Sequence, residues 1–384
     1  MKQPPRSKPL KIGGVALRPG QRRRLEIPVA RLPTGSALSL PVTALRGTYA
    51  GPTVWLSGAI HGDEIQGTEI IRRVLKRVTA KTLHGALITV PIVNVYGFIE
   101  RSRYLPDRRD LNRSFPGTRG GSLASRLAHL FLEEVVSKCS HGIDFHTGAR
   151  HRTNLPHIRA ALSDPEARVL AEAFAAPLMF ESPLIKGSLR AEAKRRGIPI
   201  LVFEGGQPLD FSDSVIESGV AGTLRVLAAL DMIEPAAAPP PSRPSDEAKT
   251  THWLRAARSG ILHLETSLGA EVAKGDVLAW ISDPFSPRQR LITAPFSGVV
   301  FAQTTVPMVY QGDAVLRLAQ VRRSRTGEPT GGETPAGTPE MEKRKGKKPG
   351  KKPSKKPSKK PGNKPRKKPG EKPSKKPSKK PRRR

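Results

Sequence analysis

Four side chains in this sequence have the types and spacing that metal-assisted hydrolysis needs. Residues 52–67 read PTVWLSGAIHGDEIQG. Val54, Trp55 and Leu56 form a short apolar run that reads as a buried strand, closed by Ser57 and Gly58. From Ile65 the pattern turns helical, with Ile70, Ile71, Val74, Leu75 and Val78 on one face. His61 and Glu64 therefore sit at a strand-to-helix turn, where an imidazole and a carboxylate three residues apart can supply two of the three protein ligands of a catalytic zinc. The plainer reading is that His61 caps the helix and Glu64 lies on its solvated face. His146, in DFHTG, is the natural third ligand, or else a core histidine bonded to the backbone. Glu204 follows an apolar run, IPILVF, and precedes two glycines, so it is either a helix-capping residue or a general base beside a metal-activated water. Between them, residues 95–118 carry Arg101, Arg103, Arg108, Arg109 and Arg113. A guanidinium can clamp a carboxylate at two points or stabilise an oxyanion, and Arg108 and Arg109 read as solvated. His84, His129, His141, His151 and His157 fall in or beside helices and loops and are weaker candidates.

The elements that must hold these groups alternate. After the first strand–helix unit, residues 85–94 read as a second buried strand and residues 122–136 as an amphipathic helix. A strand at 142–146, a helix near 164–175, a strand near 178–180, a helix near 187–196, a strand at 198–203 and a helix near 212–230 follow. Strands alternating with helices predict an α/β domain on a mainly parallel mixed sheet with flanking helices. In such sheets ligands bind at the carboxyl ends of the strands. His61, Asn94, His146 and Glu204 all fall at or just after predicted strand ends. Residues 21–50 read as antiparallel edge strands, because Pro28 and Pro41 suit edges.

The remaining segments set the organisation. Residues 1–20 read as an irregular lead-in, 21–234 as the α/β domain, and 235–250, rich in Pro and Ala, as a linker. Residues 251–320 read as short strands of a small β-barrel-like domain that resembles biotinyl/lipoyl modules without their modification site, since Lys274 lies in a V-x-x-G-D turn. Residues 321–384 read as a disordered basic tail with Lys-Lys-Pro repeats. Within it, residues 343–384 hold 23 Lys+Arg and one acid, Glu371, a net +22 of the chain's formal +34. Such a segment predicts nonspecific binding of nucleic acid or anionic surfaces through counterion release. No aromatic residue interleaves with the lysines, which argues against base stacking. A single cysteine, Cys139, excludes an intrachain disulfide and fits a reducing compartment. The first residues lack the apolar core of a secretory signal, and no stretch is long and apolar enough to span a membrane. The expected location is cytoplasmic, and a homo-oligomer is compatible with the sequence.

Taken together, HGDE at 61–64, RYLPDRRDLNRSFPG at 103–117, DFHTG at 144–148 and FEGG at 203–206 resemble the succinylglutamate desuccinylase/aspartoacylase family of zinc hydrolases, related in fold to zinc carboxypeptidases. The resemblance spans roughly residues 20–320. It implies one zinc per chain held by His61, Glu64 and His146, with Glu204 as general base and acid. It implies that Arg103 polarises the scissile carbonyl, Arg101 being the alternative, and that Asn112 and Arg113 bind the substrate's carboxylate end. The expected activity is hydrolysis of the amide bond of an N-acyl amino acid or a similar small carboxylate-bearing substrate. Two other readings stand beside it: a nonenzymatic polyanion-binding protein on a hydrolase-like scaffold, and a carboxypeptidase acting on small peptides.

Overall fold

The computed structural model describes residues 9–31, 35 and 37–322. The Lys-Pro segment and the first eight residues of the lead-in lie outside the described residues. The apolar run at 54–56 is the buried half of strand β5 (Tyr49–Gly58), which follows β1 (Leu10–Ile12), β2 (Val15–Leu17), β3 (Gln21–Arg31) and β4 (Ala37–Arg46). Helix α1 (Gln66–Arg77), β6 (His84–Val90), α2 (Val95–Ile99), α3 (Leu123–Glu134) and β7 (His141–His146) come next. Then come β8 (Arg152–Ala160), α4 (Pro165–Phe174), β9 (Leu178–Glu181), α5 (Leu189–Arg195), β10 (Ile200–Gly206) and α6 (Asp213–Ala229). The remaining strands are β11 (Asp246–Arg255), β12 (Gly260–Leu264), β13 (Glu271–Val272), β14 (Val277–Asp283), β15 (Ser286–Thr293), β16 (Gly298–Thr304), β17 (Met308–Val309) and β18 (Ala314–Arg322).

One twisted sheet carries the order β13-β16-β18-β11-β9-β8-β10-β7-β5-β6-β4-β3. Its centre, β10-β7-β5-β6, is parallel. Because side chains alternate across a strand, Val54 and Leu56 join the core under α1, α4 and α6, while Trp55 joins the core under α3 and α5. Helices on both faces explain why β6, β7 and β10 are buried almost throughout. The fit at the centre is close: a Cβ at Gly142 would lie 2.2 Å from the Trp55 ring.

The structure departs from the sequence reading in five places. First, the lead-in contains a hairpin, β1 with β2, turned by Gly13 and Gly14 at positive φ (53° and 81°) and anchored by fully buried Ile12 and Leu17. Second, β3 is an edge strand but β4 is not, since β4 pairs with both β3 and β6. Pro41 is tolerated there because the β6 pairing covers only residues 43–46. Third, residues 152–160 are a strand, not a loop, and run antiparallel to β10. Their polar sequence RTNLPHIRA hides the pattern, because Asn154, His157 and Arg159 turn toward buried polar partners. Fourth, parallel pairing is confined to the sheet centre and to β8-β9-β11, so the sheet is mixed rather than mainly parallel. Fifth, β11 begins at Asp246, inside the segment read as linker, and the C-terminal strands continue the same sheet. β11 pairs with β9, and β16 pairs with β8. The ring β8-β9-β11-β18-β16 thereby closes on itself, and a second sheet, β15-β14-β12-β17, packs beside it over a shared apolar cluster.

Candidate active site

Adjacent parallel strands bring the candidate ligands together. β5 and β7 are neighbours, with Gly58 opposite Phe145, so the turn after β5 meets the last residue of β7, His146. That turn is closed by the Glu64 N–H donating to the His61 carbonyl (3.0 Å). It lies so close to α2 that a Cβ on Gly62 would meet the Gly97 carbonyl carbon at 1.9 Å. Helix α1 starts after Ile65 with no side-chain cap, so His61 is not a capping residue, and Glu64 is buried rather than solvated.

His61, Glu64 and His146 are all buried, and one donor atom from each lies within 4.8 Å of the others. His61 Nδ1 is 2.7 Å from Glu64 Oε1 and His146 Nδ1 is 2.7 Å from Glu64 Oε2. The far nitrogen of each ring meets a carboxylate: His61 Nε2 with Asp110 (3.2 Å) and His146 Nε2 with Asp144 (2.8 Å). Asp144 in turn accepts from Ser57 Oγ (2.7 Å). A carboxylate behind each imidazole is the arrangement that orients metal-ligating histidines. His61 Nδ1 supplies the fit test. It is close to Glu64 but off the axis a hydrogen bond requires, and so is a buried nitrogen without a hydrogen-bond partner among the described residues. Two imidazoles and a carboxylate converging on one point, with that nitrogen left over, suit a divalent cation of the zinc type.

The electrostatics follow from this crowding. Burial alone would push the Glu64 carboxyl up, but the His61 and His146 rings outweigh it and hold Glu64 well below the usual carboxylate range. Burial opposes protonation of both rings, yet their carboxylate neighbours prevail and raise them. Arg103 adds a cation at the edge, donating from Nη1 to Glu64 (3.1 Å) and from Nη2 to Asp110 (3.0 Å).

A cavity of about 200 Å³ opens beside the cluster, lined among others by His61, His146, Arg103, Arg113, Arg190 and Glu204. Glu204 lies within β10, opposite His146 on β7, and does not cap a helix. Its Oε1 accepts a short bond from Arg159 Nη1 and its Oε2 accepts from Asn154 Nδ2 (3.0 Å). Burial would raise the Glu204 carboxyl, but Arg159 outweighs it and keeps the group ionised at neutral pH. Asn112 lines the same cavity, with Oδ1 accepting from the Leu189 N–H at the start of α5 (2.9 Å). Arg113 is exposed at the mouth and donates to the Asn112 carbonyl (2.6 Å). Arg101 is exposed and is not among the lining residues.

Sequence reasoning did not single out Asp110, Asp144, Asn154, Arg159 and Arg190. Asp144 was within reach, since it lies two residues before His146 on one strand and so shares its face. Arg159 and Asn154 were hidden by the misread strand. Arg190 is 6% exposed, donates from Nη2 to the Pro183 carbonyl, and keeps Nη1 without a hydrogen-bond partner among the described residues. Burial lowers its guanidinium to about 10.

Such a cluster at the carboxyl edge of a mixed α/β sheet defines a class of protein, and comparison with known proteins specifies it. Residues 50–230 match the succinylglutamate desuccinylase/aspartoacylase catalytic domain. Over 314 residues the chain is 29% identical to N-alpha-acetyl-L-2,4-diaminobutyric acid deacetylase from Halomonas elongata, covering 75% of this chain and 87% of that protein. The crystal structure of a succinylglutamate desuccinylase/aspartoacylase from Rhodobacter sphaeroides superposes with a TM-score of 0.70 at 26% identity, over 79% of this chain and 96% of that one. The product-bound ectoine utilization protein EutE (DoeB) from Ruegeria pomeroyi shares the fold, with a TM-score of 0.69 at 24% identity over 78% and 95% of the two chains. These likenesses support a place for this chain in the succinylglutamate desuccinylase/aspartoacylase family.

Proposed function

We propose that the protein is a zinc-dependent deacylase with a zinc carboxypeptidase-like site, which hydrolyses the amide bond of an N-acyl amino acid or a similar small carboxylate-bearing substrate. The observation that carries this reading is the convergence of His61, Glu64 and His146, with His61 Nδ1 2.7 Å from Glu64 but not aligned for a hydrogen bond, beside a cavity that also holds Glu204. The three residues would hold one zinc per chain, which would supply a water of lowered pKa and a Lewis acid for the carbonyl. Asp110 and Asp144 hold Nε2 of the two rings, which leaves Nδ1 of each turned toward Glu64 and available to a metal ion. Glu204, ionised at neutral pH, takes the proton from the attacking water. As the C–N bond breaks, it returns that proton to the leaving nitrogen. Arg103, which lines the cavity, takes the carbonyl-side role in preference to exposed Arg101.

The cavity's volume, about 200 Å³, supports a small substrate. Its free cations support a carboxylate: Arg113 at the mouth with Asn112 beside it, and Arg190 with an unpartnered Nη1 within. Arg113→Ala is expected to raise KM for N-acyl amino acids by about 10- to 100-fold with little change in kcat, because a charge-assisted contact to a carboxylate contributes roughly 1.5–3 kcal/mol. An unchanged KM would remove Arg113 from carboxylate binding. Cytoplasmic residence is part of the same proposal, resting on the lone cysteine. The charge of residues 343–384 supports a separate capacity for polyanions. Removing them is expected to abolish most salt-sensitive DNA binding while sparing hydrolysis, and equal salt slopes for the full and shortened chains would count against it.

A further inference from the structure

One buried side chain faces the candidate base and has no task in the scheme above. His157 stands directly opposite Glu204 in the β8–β10 pairing, so the two project on the same face of the sheet. It is 1% exposed, inside the ring β8-β9-β11-β18-β16. Its imidazole stacks on Phe180 (centroids 5.3 Å, planes 22° apart) and meets Phe301 edge-on (5.3 Å, 86°). Nδ1 lies 2.8 Å from the Leu155 carbonyl oxygen. A carbonyl only accepts, so Nδ1 carries the ring proton and Nε2 presents a lone pair. That Nε2 is buried, has no hydrogen-bond partner among the described residues, and lies 3.8 Å from Glu204 Oε2. A buried acceptor without a donor forfeits the hydrogen bond it would make in water, and such exceptions call for an explanation. Burial lowers the His157 imidazole to about 4, with Arg159 and Arg317 adding to the effect, so the ring is neutral at pH 7 and is no counter-ion for the carboxylate.

The two oxygens of Glu204 are held differently. Oε1 accepts from Arg159, a group that can only donate. Oε2 accepts from the Asn154 amide, whose oxygen and nitrogen can exchange places, and it is the oxygen facing His157. A proton on Oε2 therefore displaces no fixed positive charge.

We propose that His157 is a positioning residue for Glu204, with Nε2 accepting the hydrogen bond of the Oε2–H group whenever Glu204 is protonated. The inference rests on the reading of Glu204 as the acid–base group. The proton taken from the attacking water stays covalently on Glu204 Oε2, steadied by His157, until it passes to the leaving nitrogen, and the imidazole gains none. Closing 3.8 Å to hydrogen-bond distance requires a side-chain movement of about 1 Å. Phe301 on β16 forms part of the cage that holds the ring, so the C-terminal strands help to set the base.

The test reads the ring directly in the full-length chain. In Glu204→Gln the single side-chain oxygen can remain on Arg159, which places the amide N–H where the protonated carboxyl would donate. Histidine ¹⁵N NMR, with His157 assigned by its loss in His157→Phe, is expected to show a neutral Nδ1–H ring with a free Nε2 in the wild type at neutral pH. In Glu204→Gln the Nε2 signal is expected to move toward that of a hydrogen-bonded acceptor. An Nε2–H or doubly protonated ring in the wild type, or an unmoved Nε2 in Glu204→Gln, would overturn the proposal. In kinetics with a turned-over N-acyl amino acid, His157→Phe keeps the ring stack and is expected to lower kcat about 10-fold, the scale of one hydrogen bond. KM should stay within about twofold, and His157→Gln, which offers an acceptor oxygen, should recover part of the loss. A wild-type kcat in His157→Phe would also overturn it. Absence of any turnover by the wild type would sink the deacylase reading instead, leaving the NMR result to decide the His157–Glu204 contact.

Discussion

Glu204→Gln is expected to lower kcat by about 10²-fold or more while metal content and fold stay intact. The side chain is isosteric, and its remaining oxygen can still meet Arg159, so the local packing around β10 survives. What disappears is the ability to take a proton from water. The structure makes this a clean test, because Glu204 lines the same cavity but is not one of the three converging donors. Steady-state kinetics and elemental analysis on the same preparation separate the two effects. A near-normal kcat would remove Glu204 from the mechanism, and loss of metal would move it into the ligand set.

The second large effect belongs to the ligands. His61→Ala and His146→Ala are each expected to take the chain from about one bound zinc to almost none, and turnover should fall with it. Asp144→Asn is expected to do less, weakening metal affinity by about 10–100-fold, since it only orients His146 through Nε2. That graded order distinguishes ligands from their supports. Equal metal loss in all three variants would mean that the cluster is a single electrostatic unit with no distinct ligand set.

The candidate site was more legible in the sequence than the sheet that carries it. HGDE and FEGG lie at the ends of apolar runs and DFHTG at the end of a short strand, and the parallel pairing of β5, β7 and β10 brings those ends side by side. What stayed hidden has a physical cause. Strand β8 is polar because it walls the site, so its alternation reads as loop; with it went Asn154, His157 and Arg159, the groups that surround Glu204. The C-terminal strands alternate clearly enough to be read as β, but no local pattern reports that β11 will pair with β9 or β16 with β8. Long-range pairing is set by the assembled core. The Gly13-Gly14 turn of the lead-in hairpin was a signal present in the sequence and not used.

The central claim is that the His61, Glu64 and His146 cluster binds a zinc ion on which hydrolysis of an N-acyl amino acid depends. Its most direct test is to strip the full-length chain with a chelator and follow amine release from N-acetyl- and N-succinyl-amino acids as zinc is returned. The account predicts no hydrolysis without metal and activity that rises to a plateau at about one zinc per chain, with His146→Ala showing none at the same zinc concentration. Full activity in the stripped chain, or a plateau reached equally by His146→Ala, would contradict it.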